Sequence, residues 1–192
     1  MMYIKRITGY ITSYCTKGLL DIFKPVTQQS SNWNRWVTQV GPYTCDYCYS
    51  QNGVVLPIGE DSGIPVHPNC HCKLNRDMAI VAGNATKYGE NGADYWLKHY
   101  GKLPDYYVSR DEYIKAGWKS GKPPVKWFPG KMMYGIIYRN DKGKLPDSLG
   151  RIWYEADINY YEGRRNGHRI YFSNDGLIFV SYDHAETFYE II

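Results

Sequence analysis

The chain has 192 residues, 43% of them hydrophobic and 16% aromatic, and carries a net charge of +4. It is long enough for one domain or two small ones, and too aromatic to be a disordered tail. From Glu90 onward 15 Lys and Arg face 14 Asp and Glu, so affinity for a polyanion has to come from local clusters such as Arg164, Arg165 and Arg169.

In chain order, Met1 to about Gln29 spaces Ile4, Ile7, Ile11, Leu19, Leu20, Ile22 and Phe23 at roughly helical intervals, and Pro25 ends the pattern. Residues 1–32 are therefore expected to form a helical connector, with Gln28–Asn32 as a linker. Lys5 and Arg6 precede a stretch broken by Gly9, Thr12, Ser13 and Thr16, which makes a poor signal-peptide core. Export by a route that does not read such a signal, and a fragment of a longer protein, both stay open. No apolar run reaches the ~20 residues of a membrane-spanning helix.

Residues 33–80 are expected to form a small Cys/His-rich module, punctuated by turn signals at Gly41-Pro42, Asn52-Gly53 and Asp61-Ser-Gly63. Gly53–Pro57 reads as a short strand, and Ala79 to Glu90 as the boundary before the next unit. Cys45-x-x-Cys48 and His67-Pro-Asn-Cys70-His71-Cys72 are soft donors at metal-ligand spacing. Cys45, Cys48, Cys70 and Cys72, with His67 as the alternative ligand, suit a structural zinc. Two disulfides and free thiols remain open alternatives.

Residues 91–192 are expected to form the second domain. Ala93–Tyr100 puts apolar residues on one helical face. Ser109-x-x-Glu112 fits a capping box that opens a second helix through Ile114 to Gly117. After Pro123-Pro124 the pattern turns strand-like at Met132–Tyr138, Ile152–Ile158, His168–Ser173, Leu177–Ser181 and Thr187–Ile192. Hairpin signals lie at Asn140–Gly143, Arg165–Gly167 and Ser173–Gly176. Helices followed by strands imply an α+β fold with a twisted antiparallel sheet.

Within that sheet the chain collects a carboxylate (Glu155), arginines (Arg165, Arg169) and an imidazole (His184). Strand alternation places Trp153, Glu155 and Asp157 on one face. Such a set suits RNA transesterification without a metal. A base takes the proton of the 2′-hydroxyl, an acid protonates the leaving 5′-oxygen, and guanidiniums bind the phosphate between them. DNA lacks the 2′-hydroxyl and is excluded.

Ala93-Asp-Tyr95, Lys102–Asp105, Ala116-Gly-Trp118, Gly143–Pro146, Gly150-Arg151, Glu155–Tyr160, Arg165-Asn166, Arg169-Ile170 and Asp183-His184 together resemble the guanyl-specific microbial ribonucleases of the barnase type. The resemblance implies Glu155 as general base, His184 as general acid, and Arg165 and Arg169 on the phosphate. It puts Arg110 where that family has a substrate-binding Lys. It further implies that Asp157 orients Arg165 and that Arg151 pairs with Asp175. The base-reading segment corresponds to Arg139, Asn140, Asp141 and Lys142, with Lys142 in the place of the family's acid. Ala185 replaces a stacking Tyr, so base selection is expected to be weaker or broader. No cofactor is implied for catalysis. The expected partners are RNA and an acidic, barstar-like immunity protein.

Arg35–Thr38, Thr44–Cys48, Asn52-Gly53 and Pro65–Cys72 resemble the tail of phage Mu F-like head-morphogenesis proteins. The two resemblances together imply the ribonuclease payload of a polymorphic or phage-borne toxin, exported or delivered and acting in the target-cell cytoplasm. The alternative is a head-morphogenesis protein whose C-terminal domain only binds.

Overall fold

The computed structural model describes residues 28–192. The helical spacing and the leader reading of residues 1–27 lie outside the described residues. The described part is α+β, with a six-stranded sheet and a three-stranded sheet.

The helices come first in the C-terminal unit. Helix α2 (Ala93–Tyr100) has the expected bounds; the short helix before it, α1 (Asp46–Gln51), was not anticipated. Gly92 precedes α2 because a Cβ there would lie 2.0 Å from Thr86 Oγ1 and 2.5 Å from Asp94 Oδ1. Asp94 is fully buried, and its carboxylate accepts from the amides of Gly83 (2.7 Å) and Ala85 (2.9 Å) and from the Thr86 hydroxyl (3.0 Å). Gly101 ends the helix in the left-handed conformation at φ 66°. Helix α3 (Arg110–Lys115) opens on the expected capping box of Ser109 and Glu112.

Among the described residues there are nine strands: β1 (Gln28–Val37), β2 (Val55–Pro57), β3 (Lys73–Ile80), β4 (Tyr107–Ser109), β5 (Met132–Tyr138), β6 (Trp153–Asp157), β7 (Arg169–Ser173), β8 (Ile178–Ser181) and β9 (Tyr189–Glu190). The large sheet runs β4-β5-β6-β7-β8-β9 and the small one β2-β1-β3. All pairs are antiparallel except β4 with β5, which is parallel. Of the expected hairpins, Ser173–Gly176 is tight. The Arg165–Gly167 signal instead falls inside the long connection from β6 to β7, and Asn140–Gly143 inside that from β5 to β6.

One reading is corrected. Gln28–Asn32 is no linker but the first half of β1, paired with β3. In the stretch expected to be the boundary, Ala79, Ile80 and Ala85 are buried. The amide of Ile192 donates to the Ile80 carbonyl, and that of Ala82 to the Ile192 carbonyl, at 3.0 and 2.9 Å.

The large sheet buries both faces differently. Against α2 pack Ala156, Ile158, Ile170, Ile178 and Val180 with Leu97. The opposite face carries Trp153, Tyr171, Phe179 and Phe188, and these share a core with Val55, against which Trp33 packs. The Cys/His-rich module therefore covers one end of the second face of the large sheet.

Candidate active site

Register assembles the polar cluster on the second face. In β6–β7–β8, Glu155 faces Tyr171, which faces Phe179; one row further, Asp157 faces Arg169, which faces Ser181. Three long connections end beside these rows: 139–152, 158–168 and 182–188.

Asp157 is completely buried and is the hub. Arg165 Nε donates to both of its oxygens (3.0 and 2.9 Å), and Nη2 donates to Oδ1 at 2.6 Å. Arg169 Nε lies 3.1 Å from the same Oδ1. The expected orientation of Arg165 by Asp157 is thus present. Both arginines also reach Glu155: Arg165 Nη2 and Arg169 Nε donate to Oε1 at 3.3 and 3.2 Å. Among the described residues no donor serves Oε2, which leaves one carboxylate oxygen of Glu155 open to a ligand. Burial works against the charge on Arg165, but Asp157 and Glu155 outweigh it and raise its pKa.

His184 is exposed and reaches this face from the connection between β8 and β9. His184 and Ala185 both take left-handed backbone conformations, φ 60° and 65°, which cost of order 1–3 kcal/mol each for residues with a Cβ. Asp183 sustains them. Its Oδ1 accepts from the Ser181 hydroxyl (2.8 Å) and from the amides of Glu186 (3.2 Å) and Thr187 (2.9 Å). Burial opposes ionisation of Asp183, yet these donors win and lower its pKa. The His184 imidazole lies over Gly167: a Cβ on that glycine would sit 2.7 Å from Cδ2 and Nε2. The His184 amide also donates to the Gly167 carbonyl at 3.3 Å.

A cavity of about 360 Å³ separates His184 and Ala185 from Tyr138–Lys142. It joins the expected acid to the expected base-reading segment. Asn140, at φ 52°, shapes that segment by pairing its amide side chain with the Leu145 backbone (2.8 and 3.0 Å). Arg139 pairs with Asp141 at 3.2 Å. Lys142 pairs with Glu186 at 2.7 Å, so the lysine in the place of the family's acid has its own counter-ion.

Arg110 stands at the first turn of α3, exposed, with no hydrogen bond or ion pair among the described residues. The register Ser109–Tyr134–Ala156 puts it two strands from Glu155. Arg151 and Asp175 form the expected ion pair, with contacts of 2.7–3.0 Å, and Asp175 falls to about 2 through its bonds to Arg151 and Ser173.

Sequence reasoning missed His168 and Asn166 as neighbours of the site. The His168 ring packs edge-on against Tyr182 at 5.3 Å, and its Nδ1 is buried with no hydrogen-bond partner among the described residues. Burial first, then Lys87 and Arg169, lower its pKa. Asn166 Oδ1 accepts from Arg169 Nη1 (3.2 Å), while its Nδ2 holds the carbonyls of Ile158 and Asn159. The signal was their position between Arg165 and Arg169.

In the module, Cys45, Cys48, Cys70 and Cys72 are all free thiols. His67 Nε2 lies 3.3 Å from Cys45 Sγ and 3.2 Å from Cys48 Sγ, and Cys48 and Cys70 are 4.0 Å apart. Donor atoms of Cys45, Cys48 and His67 converge, as do those of Cys48, Cys70 and Cys72. The edge of a tetrahedron with ~2.3 Å zinc–sulfur bonds is about 3.7 Å, which these spacings approximate, so the cluster can hold a metal ion. Amides of Cys72 and Val66 bring the Cys70 thiol down to about 7. Burial pushes Cys48 up.

Comparison with known proteins places the C-terminal part. Over 100 residues, 52% of this chain, it is 41% identical to a ribonuclease of Heyndrickxia coagulans, of which the match covers 91%. The chain belongs to that ribonuclease family. Ribonucleases of Bacillus intermedius and Bacillus pumilus match at the same identity over 100 residues, 61% of the length of each. No protein-family model matches the chain. Among the described residues, no helix is long and apolar enough to cross a membrane.

Proposed function

We propose that the chain is an endoribonuclease that cleaves RNA by transesterification through a 2′,3′-cyclic phosphate, with no metal in the active site. The observation that carries this reading is Glu155. Two guanidiniums fix one of its oxygens, no donor among the described residues serves the other, and the carboxylate stands on the sheet face that His184 approaches.

In this reading Glu155 accepts the proton of the 2′-hydroxyl as that oxygen attacks phosphorus. The bond from phosphorus to the 5′-oxygen breaks, and His184 gives that oxygen a proton. Arg165 and Arg169, already oriented by Asp157, neutralise the charge that builds on the non-bridging oxygens. Arg110, without an internal partner, adds a further cation at the rim. The cavity between His184 and Tyr138–Lys142 takes the base. Arg139, Asn140, Asp141 and Lys142 line it, and with Lys142 and Ala185 in place of an acid and a ring the choice of base is broad.

The exposed Arg110 supports an acidic inhibitor as partner, and the Cys/His motifs support the role of toxin payload delivered to a target cell. In the module, the donor set of Cys45, Cys48, His67, Cys70 and Cys72 supports a structural zinc on four of the five.

The test is a short RNA of mixed sequence in magnesium-free buffer with brief exposure to chelator. Cyclic-phosphate ends and loss of cutting by at least 10²-fold in Glu155→Ala are expected. Cutting by the variant at the parent rate removes Glu155 as the base, and a strict need for added metal removes the mechanism.

A further inference from the structure

The segment that carries His184 is held from outside the ribonuclease-like unit. Its downstream end, Phe188, is fully buried, and its carbonyl accepts a hydrogen bond from Arg35 of β1, whose guanidinium is paired with Asp77 of β3. Two residues on, the Glu190 carboxylate accepts from the Ser31 hydroxyl (2.8 Å), the Asn32 amide (2.9 Å) and the Asn32 side chain (3.2 Å).

The middle of the segment is held too. Lys144 Nζ bonds the Glu186 carboxylate (2.6 Å) and carbonyl (3.0 Å). The carbonyl of Lys144 in turn accepts from the Val55 amide of β2 at 3.1 Å. A Cβ on Gly53 would lie 3.6 Å from the Glu186 carbonyl, so the turn after Cys48 runs against the segment. The same β1 supplies Trp36, which packs with Cys48 and Cys72.

We infer that the Cys/His module is a brace that sets the position of the His184 segment, and that Arg35 is its positioning residue. The physical reason is the strain in that segment. Two consecutive left-handed residues persist only where the surroundings over-determine them. Asp183 fixes the segment from within, and Arg35, Asn32 and the Lys144–Val55 contact fix its exit. Released at Phe188, the segment relaxes and the imidazole leaves its place over Gly167. A carrier that only delivers the enzyme needs none of these contacts.

The inference rests on the ribonuclease reading, so the parent chain is assayed first, alongside Glu155→Ala. If the parent does not cut RNA, that reading fails, and the His184 ring-proton resonance then decides the brace alone: no change in a folded Arg35→Met overturns it. With an active parent, Arg35→Met is expected to lower kcat about tenfold with KM within twofold, since misplacing a catalytic group by ~1 Å can cost ~10²-fold. The His184 ring-proton resonance should shift or broaden. Arg35→Lys, whose ammonium can still donate to both oxygens, should recover most of the rate, and Tyr43→Ala, on an exposed part of the same module, should change nothing. Where Arg35→Met does not fold, Asp77→Asn is measured by the same criteria. An unchanged kcat in a folded variant overturns the inference. So does a loss that merely follows the unfolded fraction, or a rise in KM alone.

Discussion

Gly167→Ala isolates the placement of His184 from every other property of the protein. Gly167 is not in a left-handed conformation, so alanine fits its backbone. The new methyl would stand 2.7 Å from Cδ2 and Nε2 of the imidazole and 3.1 Å from Cε1. Ordinary carbon contacts lie at about 3.5–4.0 Å, so the ring has to retreat by about 1 Å. Because the ring is exposed, that retreat costs little stability, and replacing glycine by alanine in a compatible conformation stabilises by ~0.4–1 kcal/mol through the unfolded chain. Catalysis responds in the other direction, because a displacement of ~1 Å lowers rate by up to ~10²-fold. The expected result is a variant that melts at or slightly above the parent's Tm and cleaves a dinucleotide substrate some 10–100 times more slowly. Full activity at unchanged Tm would refute the assignment of His184 as the acid, since a ring displaced without consequence takes no part in the step.

Asp157→Ala removes the buried acceptor shared by two guanidiniums and should destabilise the protein by about 3 kcal/mol, as breaking a buried charge pair does; urea unfolding that shows less than ~1 kcal/mol of loss contradicts its place as hub. Asp175 is held near 2 by Arg151. A depressed carboxylate contributes stability above its unfolded value near 4 and loses it as pH falls toward 2. The Tm difference between the parent and Asp175→Asn should therefore be present at pH 6 and vanish by about pH 2. The pair is half exposed on the Asp175 side, so the difference is less than ~1 kcal/mol. The protein purified without chelator should carry about one zinc per chain by elemental analysis, and Cys48→Ser, which removes the donor common to both converging groups, should carry well under half of that; equal zinc in both proteins moves the metal elsewhere.

Much of the catalytic unit could be read from residues alone because its signals are local. Ala93–Tyr100 has a helical stripe and a terminal Gly101, Ser109 and Glu112 cap each other, and Met132–Tyr138 is an apolar and aromatic run between turn residues. The face shared by Glu155 and Asp157 follows from a period of two. The strands of the small sheet gave no such signal. Gln28–Val37 is mostly polar and Lys73–Ile80 is half polar, and they become strands because each supplies the other's hydrogen-bond partners and both lean on β9. The parallel pairing of β4 with β5 was hidden for a similar reason, since three residues carry too little pattern to show a direction.

What the sequence determined by itself is therefore the chemistry: a carboxylate, an imidazole and arginines in a fixed order, beside thiols at metal spacing. Chemical type is a property of the residue and survives any fold. Tertiary structure decided how the two halves relate. Whether Arg35 meets the Phe188 carbonyl, 153 residues away, or the His184 ring settles on Gly167, depends on contacts between segments distant in the chain, which no local pattern encodes. That is why a module read as a unit of its own proves to share a core with the sheet that bears Glu155.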